Sequence, residues 1–316
     1  MEADWNRTSV DEFILVGLTD IAWFQKVLFV IFSFLYLVNL LGNFIIIFLV
    51  IIDPALHTPM YFLLANLSIL DIFYASTTVP KMLVGLLMEN TISIKGCITQ
   101  LHFFHFLGCT EGVILAAMGY DRYVAICQPL RYGMIMDKRV CIQLVLISWL
   151  TGLTYASIHS VMTSQLPFCT FNKVRHFFCD VKPVIKLACT DIRLNEIMLT
   201  VVSGFFSTGT FLLTMISYCF IAVHLFKIQS SQGRRKAFST CSSHLTIVTL
   251  FYGTAMCTYL GPASEDSIEK DKVAAILFTV MTPTLNPLIY ALRNQEVKKS
   301  LRKFFIKSNI GRLMSC

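Results

Sequence analysis

Asp121 and Arg122 stand side by side in MGYDRYVAIC (118–127), at the end of a long apolar run. Opposite charges placed there form an ion pair at a membrane edge, cheap to hold and cheap to open. Two further carboxylates, Asp71 and Glu111, lie inside apolar stretches, as do the amides of Asn43 and Asn286. An ionisable side chain inside a membrane span is costly, so each of these is a candidate for function. His105 and Cys109 are four residues apart and share one helix face. An imidazole with a thiolate suits copper, and Met256 would add a soft ligand if it faces them; the alternative is an ordinary hydrogen-bonding pocket wall. No HExxH, no GxSxG and no cluster of metal ligands at active-site spacing occurs, so no enzyme is expected.

The elements that position these groups follow from composition. The chain has 316 residues, 55% hydrophobic and 14% charged, with mean hydropathy +0.67. Soluble domains carry about 25% charged residues, so this chain hides from water by entering lipid. Apolar runs lie near 23–52, 59–88, 98–127, 140–165, 197–227, 238–260 and 273–292. The expected fold is all-α: an integral membrane bundle of seven transmembrane helices followed by a short C-terminal amphipathic helix. Hydropathy alone also admits six or eight spans.

Charge placement fixes count and direction. With the amino terminus outside, segments 53–58, 128–139, 228–237 and 293–316 are cytoplasmic and hold thirteen Lys and Arg against Asp53, Asp137 and Glu296. Basic loops stay inside. The first twenty residues instead carry Glu2, Asp4, Asp11, Glu12 and Asp20 against Arg7. An outside start and an inside end need an odd number of spans, which favours seven. The division is then an extracellular segment 1–22, a receptor domain 23–292 and a cytoplasmic helix and tail 293–316. The start lacks the basic and short apolar stretches of a cleavable signal, so the first span is expected to direct insertion. Asn6 opens a glycosylation sequon, NRT, which fits an exterior amino terminus.

Depth follows from the helical rise of ~1.5 Å per residue. Cys97 to Arg122 spans ~37 Å, enough to cross a hydrocarbon core of ~30 Å. Glu111 then sits ~15 Å above Asp121, and Asp71 lies ~18 Å above Pro59 from the same side. The two carboxylates share a depth on neighbouring helices and cannot both ionise cheaply. One holds a proton, a Na⁺ ion sits between them, or they form a polar packing knot. Cys97, Cys169, Cys179 and Cys189 fall on the outer side, where disulfides persist, in any of three pairings.

The sequence as a whole resembles the odorant receptors, a branch of the rhodopsin-like G-protein-coupled receptors. The resemblance rests on LGN (41–43), LHTPMYFLLANLSILD (56–71), VPKML (79–83), MGYDRYVAIC, HFFCD (176–180), SY (217–218), KAFSTCSSHL (236–245) and PTLNPLIYALRN (283–294), in order along the chain. Gly119 and Thr284 stand where the family usually has alanine and methionine, and neither touches the charge pair. The resemblance implies that Asp121 neutralises Arg122 at rest, and that activation frees Arg122 for the carboxy-terminal helix of a G protein. Tyr123, Tyr218, Tyr252, Asn286, Pro287 and Tyr290 fall at the family's activation positions. Disulfides Cys97–Cys179 and Cys169–Cys189 are likewise implied, the second folding the long loop into a lid.

The same resemblance places a ligand pocket in the outer half of the bundle. Its expected wall is Phe104, His105, Gly108, Cys109 and Gly112 from the third helix, Val202, Ser203 and Phe206 from the fifth, Met256 and Tyr259 from the sixth, and Ile276 and Thr279 from the seventh. Such a wall suits a small hydrophobic molecule with one or two hydrogen-bonding groups. His102 is expected to face the outer loop. The implied function is an odorant receptor that binds small volatile molecules and raises cyclic AMP through a heterotrimeric stimulatory G protein, in the plasma membrane. The alternative is a related receptor for a non-odour metabolite outside the nose. Neither cofactor nor nucleic acid is expected, apart from Na⁺ as an allosteric ion. In the tail, Leu301, Phe304, Phe305 and Ile306 are expected to dip into lipid while the bases meet anionic headgroups.

Overall fold

The computed structural model describes residues 11–169, 171–227, 230–259 and 267–313; Asn6 lies outside them. Helices dominate: α1 (Ala22–Ile52), α2 (Pro59–Gly85), α3 (Ile94–Cys127), α4 (Tyr132–Ile135), α5 (Lys138–Ser164), α6 (Val181–Ile185), α7 (Arg193–Lys227), α8 (Ser231–Tyr259), α9 (Ser267–Ile276), α10 (Thr282–Arg293) and α11 (Gln295–Leu313). Among the described residues, six segments are long and apolar enough to span a membrane: α1, α2, α3, α5, α7 and the stretch Asp271–Tyr290. α8 supplies the remaining crossing. Its 29 residues begin with SQGRRK, and the apolar part follows that basic start. The result is an all-α bundle of seven membrane-crossing helices.

Local signals start these helices where they do. Ser93 Oγ accepts from Gly96 N–H at the start of α3, Asp137 caps α5 through Val140 N–H, and Pro59 opens α2 where its missing N–H costs nothing. Burial then follows membrane logic. In α1 the apolar Val30, Phe34, Leu37, Leu41 and Phe44 point outward, whereas Asn39 and Asn43 are buried. Lipid accepts apolar surface, so amides turn inward, away from the hydrocarbon. Asn43 Nδ2 donates to the Asn39 and Pro283 carbonyls.

α3 runs through the centre, packed on α2, α5, α7 and α8. Its tightest approach is to α5. A Cβ on Gly152 would fall 2.7 Å from the Phe106 carbonyl and 3.1 Å from Thr110 N. α1 meets α10 in the same way, with Gly42 against Pro287. The last crossing is continuous from α9 to α10 through a π-helical turn, Leu277–Met281.

One end carries structure that a purely helical expectation omits. Strand β1 (Glu12–Leu15) pairs antiparallel with β2 (Thr91–Ser93) and parallel with β3 (Lys173–Val174), in the order β2-β1-β3. Strands of four residues or fewer leave no periodic signal in a sequence. Under the sheet Phe13, Leu15, Phe168, Val174 and Val184 form a second apolar core. Two disulfides, Cys97–Cys179 and Cys169–Cys189, tie this lid to α3 and close it on itself. The lid end is thus opposite the tail end, where α11 lies. There Asn294 Oδ1 caps α11 and accepts from Tyr61 OH, and Lys303 Nζ reaches Asp53. Leu301 packs on the main core, and Phe304 meets Phe48 of α1 edge-on. The side chains of Phe305 and Ile306 lie outside the described residues.

Candidate functional site

Three polar sites are strung along α3. Nearest the lid is a cavity of about 540 Å³, its mouth included, bounded by α2, α3, α5, α7, α8 and the π-helical turn. Phe104, His105, Gly108, Cys109 and Gly112 present one helix face to it, with Ser203 and Phe206 opposite. Sequence reasoning expected all seven. Val202, Ile276 and Thr279 do not border it. Thr279 is fully buried in helix packing, and Ile276 packs on the apolar core. Met256 borders a wider neighbouring space toward the lid, with Lys182, Lys186 and Glu196 at its rim. The side chain of Tyr259 lies outside the described residues.

The cavity also has walls that the sequence did not reveal. Tyr74, Phe251 and Phe278 join Phe104 in a cage of rings, with Tyr74 edge-on to Phe278 at 5.4 Å. Phe278 is aimed by the π-turn, an insertion that shifts helix register and cannot be read from a hydrophobic pattern. Tyr155, Ser207, Thr210, Tyr252 and Ala255 complete the enclosure. Tyr155 comes from α5, and its hydroxyl lies 2.6 Å from Ser203 Oγ. His105 and Cys109 do share the cavity wall, but no group of three or more His, Cys, Asp or Glu side chains that could hold a metal forms among the described residues.

Behind His105 the lid supplies Asp180, whose Oδ1 lies 3.3 Å from His105 Nε2 and accepts from Val181 N–H. Burial pushes the Asp180 carboxyl up to about 6, against the pull of Val181 N–H and Lys182. Burial also holds the His176 imidazole down to about 3, helped by Lys272. His102 does not face the loop, as expected, but pairs with Ser160 Oγ of α5 at 3.0 Å. Its helical phase turns it to the α3–α5 seam. A lid ion pair, Lys182–Asp271 at 2.9 Å, joins α6 to α9.

The middle site holds Asp71 and Glu111, both buried, with Asn286 between α2 and α3. Asn286 Nδ2 donates to both Asp71 oxygens at 3.0 and 3.1 Å, and Asn286 is also within hydrogen-bonding reach of Glu111. Glu111 Oε1, Asn286 Oδ1 and the Tyr290 hydroxyl have no hydrogen-bond partner. Unpaired buried acceptors are costly, and two acceptor oxygens around two carboxyl groups are donors a small hard cation would use. The residues therefore fit Na⁺ at this level of the bundle.

The tail-end site is the charge pair. Arg122 Nε donates to Asp121 Oδ2 at 3.0 Å, and the Arg122 side chain is only 11% exposed. Tyr132, from α4, donates to Asp121 Oδ1 at 2.7 Å. Burial and the adjacent Asp121 carboxylate push the Tyr132 phenol up, keeping it protonated as a donor. Tyr218 pairs with His244 Nδ1 at 2.7 Å, rings stacked, and Gly119 of α3 lies beside His244. Tyr123 rests on Phe220 of α7. Pro287 stands inside α10, against Gly42. Tyr132 and His244 were not foreseen, because their partners lie on other helices and are fixed only by how those helices pack. Tyr252 sits higher, at the cavity floor, with its hydroxyl 3.3 Å from the Gly112 carbonyl.

The chain matches known proteins over nearly its whole length. The family model described as Olfactory receptor matches residues 32–308. The chain is 51% identical over 300 residues to olfactory receptor 12D1 of Homo sapiens, covering 94% of each protein. It is 52% identical over 303 residues to olfactory receptor 12D3 of Homo sapiens, covering 95% of this chain and 96% of that one. Against olfactory receptor 1G1 of Gorilla gorilla gorilla it is 48% identical over 299 residues, 94% of this chain and 96% of the relative.

Proposed function

This chain belongs to the olfactory receptor family, G-protein-coupled receptors of the plasma membrane rather than enzymes, and on that premise we propose how it senses and signals. A small hydrophobic odorant binds in the ring-lined cavity beneath the lid, which faces the exterior. Occupancy changes the packing of Tyr252 and hence of α8. The tail end of α8 swings away from α3, and the Tyr218–His244 contact is remade. Arg122 then leaves Asp121 and helps form the cavity that receives the carboxy-terminal helix of a stimulatory G protein, raising cyclic AMP.

The observation that carries this reading is continuity along one helix. α3 lines the cavity with Phe104 to Gly112 and ends in the Asp121–Arg122 pair. Tyr252 touches both the cavity and the α3 backbone at Gly112. A Na⁺ ion held by Asp71, Glu111 and Asn286 would supply positive charge to the two carboxyl groups and favour the packed, resting bundle. Pro287 leaves α10 one backbone donor short and gives it a hinge beside that site.

The test is a cyclic AMP screen of cells expressing the chain against a broad panel of volatile compounds, with Arg122→Ala alongside. Agonist responses are expected in the parent chain and lost in the variant at equal surface expression. A response that survives Arg122→Ala unchanged overturns the coupling mechanism.

A further inference from the structure

Five hydroxyl groups on α5, α7 and α8 border the cavity: Tyr155, Ser203, Ser207, Thr210 and Tyr252. Each has one proton to give and two lone pairs to receive. Ser207 spends its proton on the Ser203 carbonyl at 2.5 Å, and Thr210 on the Phe206 carbonyl at 3.0 Å. Tyr252 spends its own on the Gly112 carbonyl at 3.3 Å. Tyr155 and Ser203 face each other at 2.6 Å, so one of their two protons is used between them. One hydroxyl proton of the five is left to face a guest. This follows from helix chemistry: in lipid, Ser and Thr side chains bond the carbonyl four residues back, which satisfies the proton and leaves the lone pairs outward.

The α5, α7 and α8 side of the wall is therefore richer in acceptors than in donors, while the Tyr74 hydroxyl, the His105 imidazole and the Cys109 thiol lie on the α2–α3 side. No carboxylate borders the cavity among the described residues, so nothing there would neutralise an ammonium group. The opposite wall is a cage of rings from Tyr74, Phe104, Phe251 and Phe278, with centroids 5.2 to 6.3 Å apart. Rings at these spacings accept another ring edge-on or offset. Given the odorant-receptor reading above, on which this rests, we infer that the ligand is a neutral, ring-bearing hydroxyl compound, an aromatic alcohol or phenol. Its hydroxyl donates to Ser207 or Thr210 on the α7 wall, and its ring stacks into the aromatic cage. A ketone, aldehyde or ether of the same size sets lone pairs against the lone pairs of Ser207 and Thr210, and meets a hydroxyl proton only at the Tyr155–Ser203 pair.

The experiment compares benzyl alcohol, benzyl methyl ether and benzaldehyde on cells expressing the full chain, with cyclic AMP as readout. The alcohol is expected to act at a concentration about tenfold lower than the other two, the effect of one net hydrogen bond. Ser207→Ala and Thr210→Val, both checked for surface expression, should raise the half-maximal concentration for the alcohol and leave the ether's where it was. Two variants guard against one that fails to fold. An ether or aldehyde as potent as the alcohol overturns the inference, and so does silence toward all three. A broad volatile panel run in parallel separates the two failures. Responses confined to other chemical classes leave the odorant-receptor reading standing and remove only this one. Silence toward the whole panel at normal surface expression counts against both.

Discussion

Tyr132 shows how much a single hydroxyl can hold. Asp121 is fully buried and takes one bond from Tyr132 and an ion pair from Arg122, so its charge is shared between two partners. Tyr132→Phe deletes the bond without changing the packing. A hydrogen bond to a charged group contributes about 1.5–3 kcal/mol. Part of that loss should appear as resting-state destabilisation, so basal cyclic AMP should rise by about three- to tenfold at equal surface expression. A basal level equal to the parent chain would remove Tyr132 from the latch. Two lid residues make a pH prediction with opposite signs. Asp180 is raised from 3.8 to about 6, so its contribution to stability is fully present below 3.8 and lost as pH rises through about 6. His176 is lowered from 6.5 to about 3, so its contribution is present above 6.5 and lost as pH falls through about 3. Between about pH 6.5 and 4 the two oppose one another. Asp180→Asn leaves His176 in charge, and its melting temperature should fall on going from about pH 7 to 5. In His176→Gln it should rise over the same interval. Melting curves of the purified variants that move in the same direction would refute this assignment.

At the scale of elements, the bundle depends on two close approaches and one strand. Gly152 lets α3 and α5 touch backbone to side chain, since any Cβ there collides with the Phe106 carbonyl. Gly152→Val forces the helices apart and should cost at least about 1–3 kcal/mol, the range for overpacking, read as a lower melting temperature in detergent. The same change would swing Tyr155 and the α5 wall off the cavity, so agonist potency should fall with stability. Strand β1 is the other case. Phe13 is wholly buried in the lid core and meets Phe168 edge-on at 5.1 Å. Phe13→Ala should cost about 3–5 kcal/mol if the lid unfolds with the bundle. If instead the lid opens alone, global melting stays put and protease sensitivity of the β1–β3 region rises. No change in either measurement would mean that the strand carries no structural load.

At the scale of the molecule, the three polar sites along α3 form one axis from lid to tail, with the Asp71–Glu111 site between the two ends. Asp71 and Glu111 face each other across Asn286 with acceptor atoms unfilled. Replacing sodium by N-methylglucamine should lower the melting temperature of the purified receptor by about 2 °C or more if the ion binds only the folded state. Glu111→Gln should abolish that difference. Identical melting in both salts would mean that a shared proton, not an ion, settles the pair.

The sequence by itself determined the membrane class and the seven crossings, and its family resemblance placed the residues on the α3 face of the cavity. These are one-dimensional facts: apolar length, charge asymmetry and a 3.6-residue period are all local, and a resemblance supplies the rest by position. Seven of the twelve expected pocket residues border the cavity for that reason. Tertiary structure decided what depends on contacts between distant segments. Tyr132 reaches Asp121 only because α4 folds back beneath α3, and Asp180 reaches His105 only because a disulfide draws the lid down onto Cys97. Phe278 reaches the cavity through a π-turn that shifts register by one residue, and the strand of the lid exists only because two other segments lie beside it. Which hydroxyl proton remains free is likewise a property of the assembled wall, since the others go to a carbonyl one turn back or to a partner on another helix.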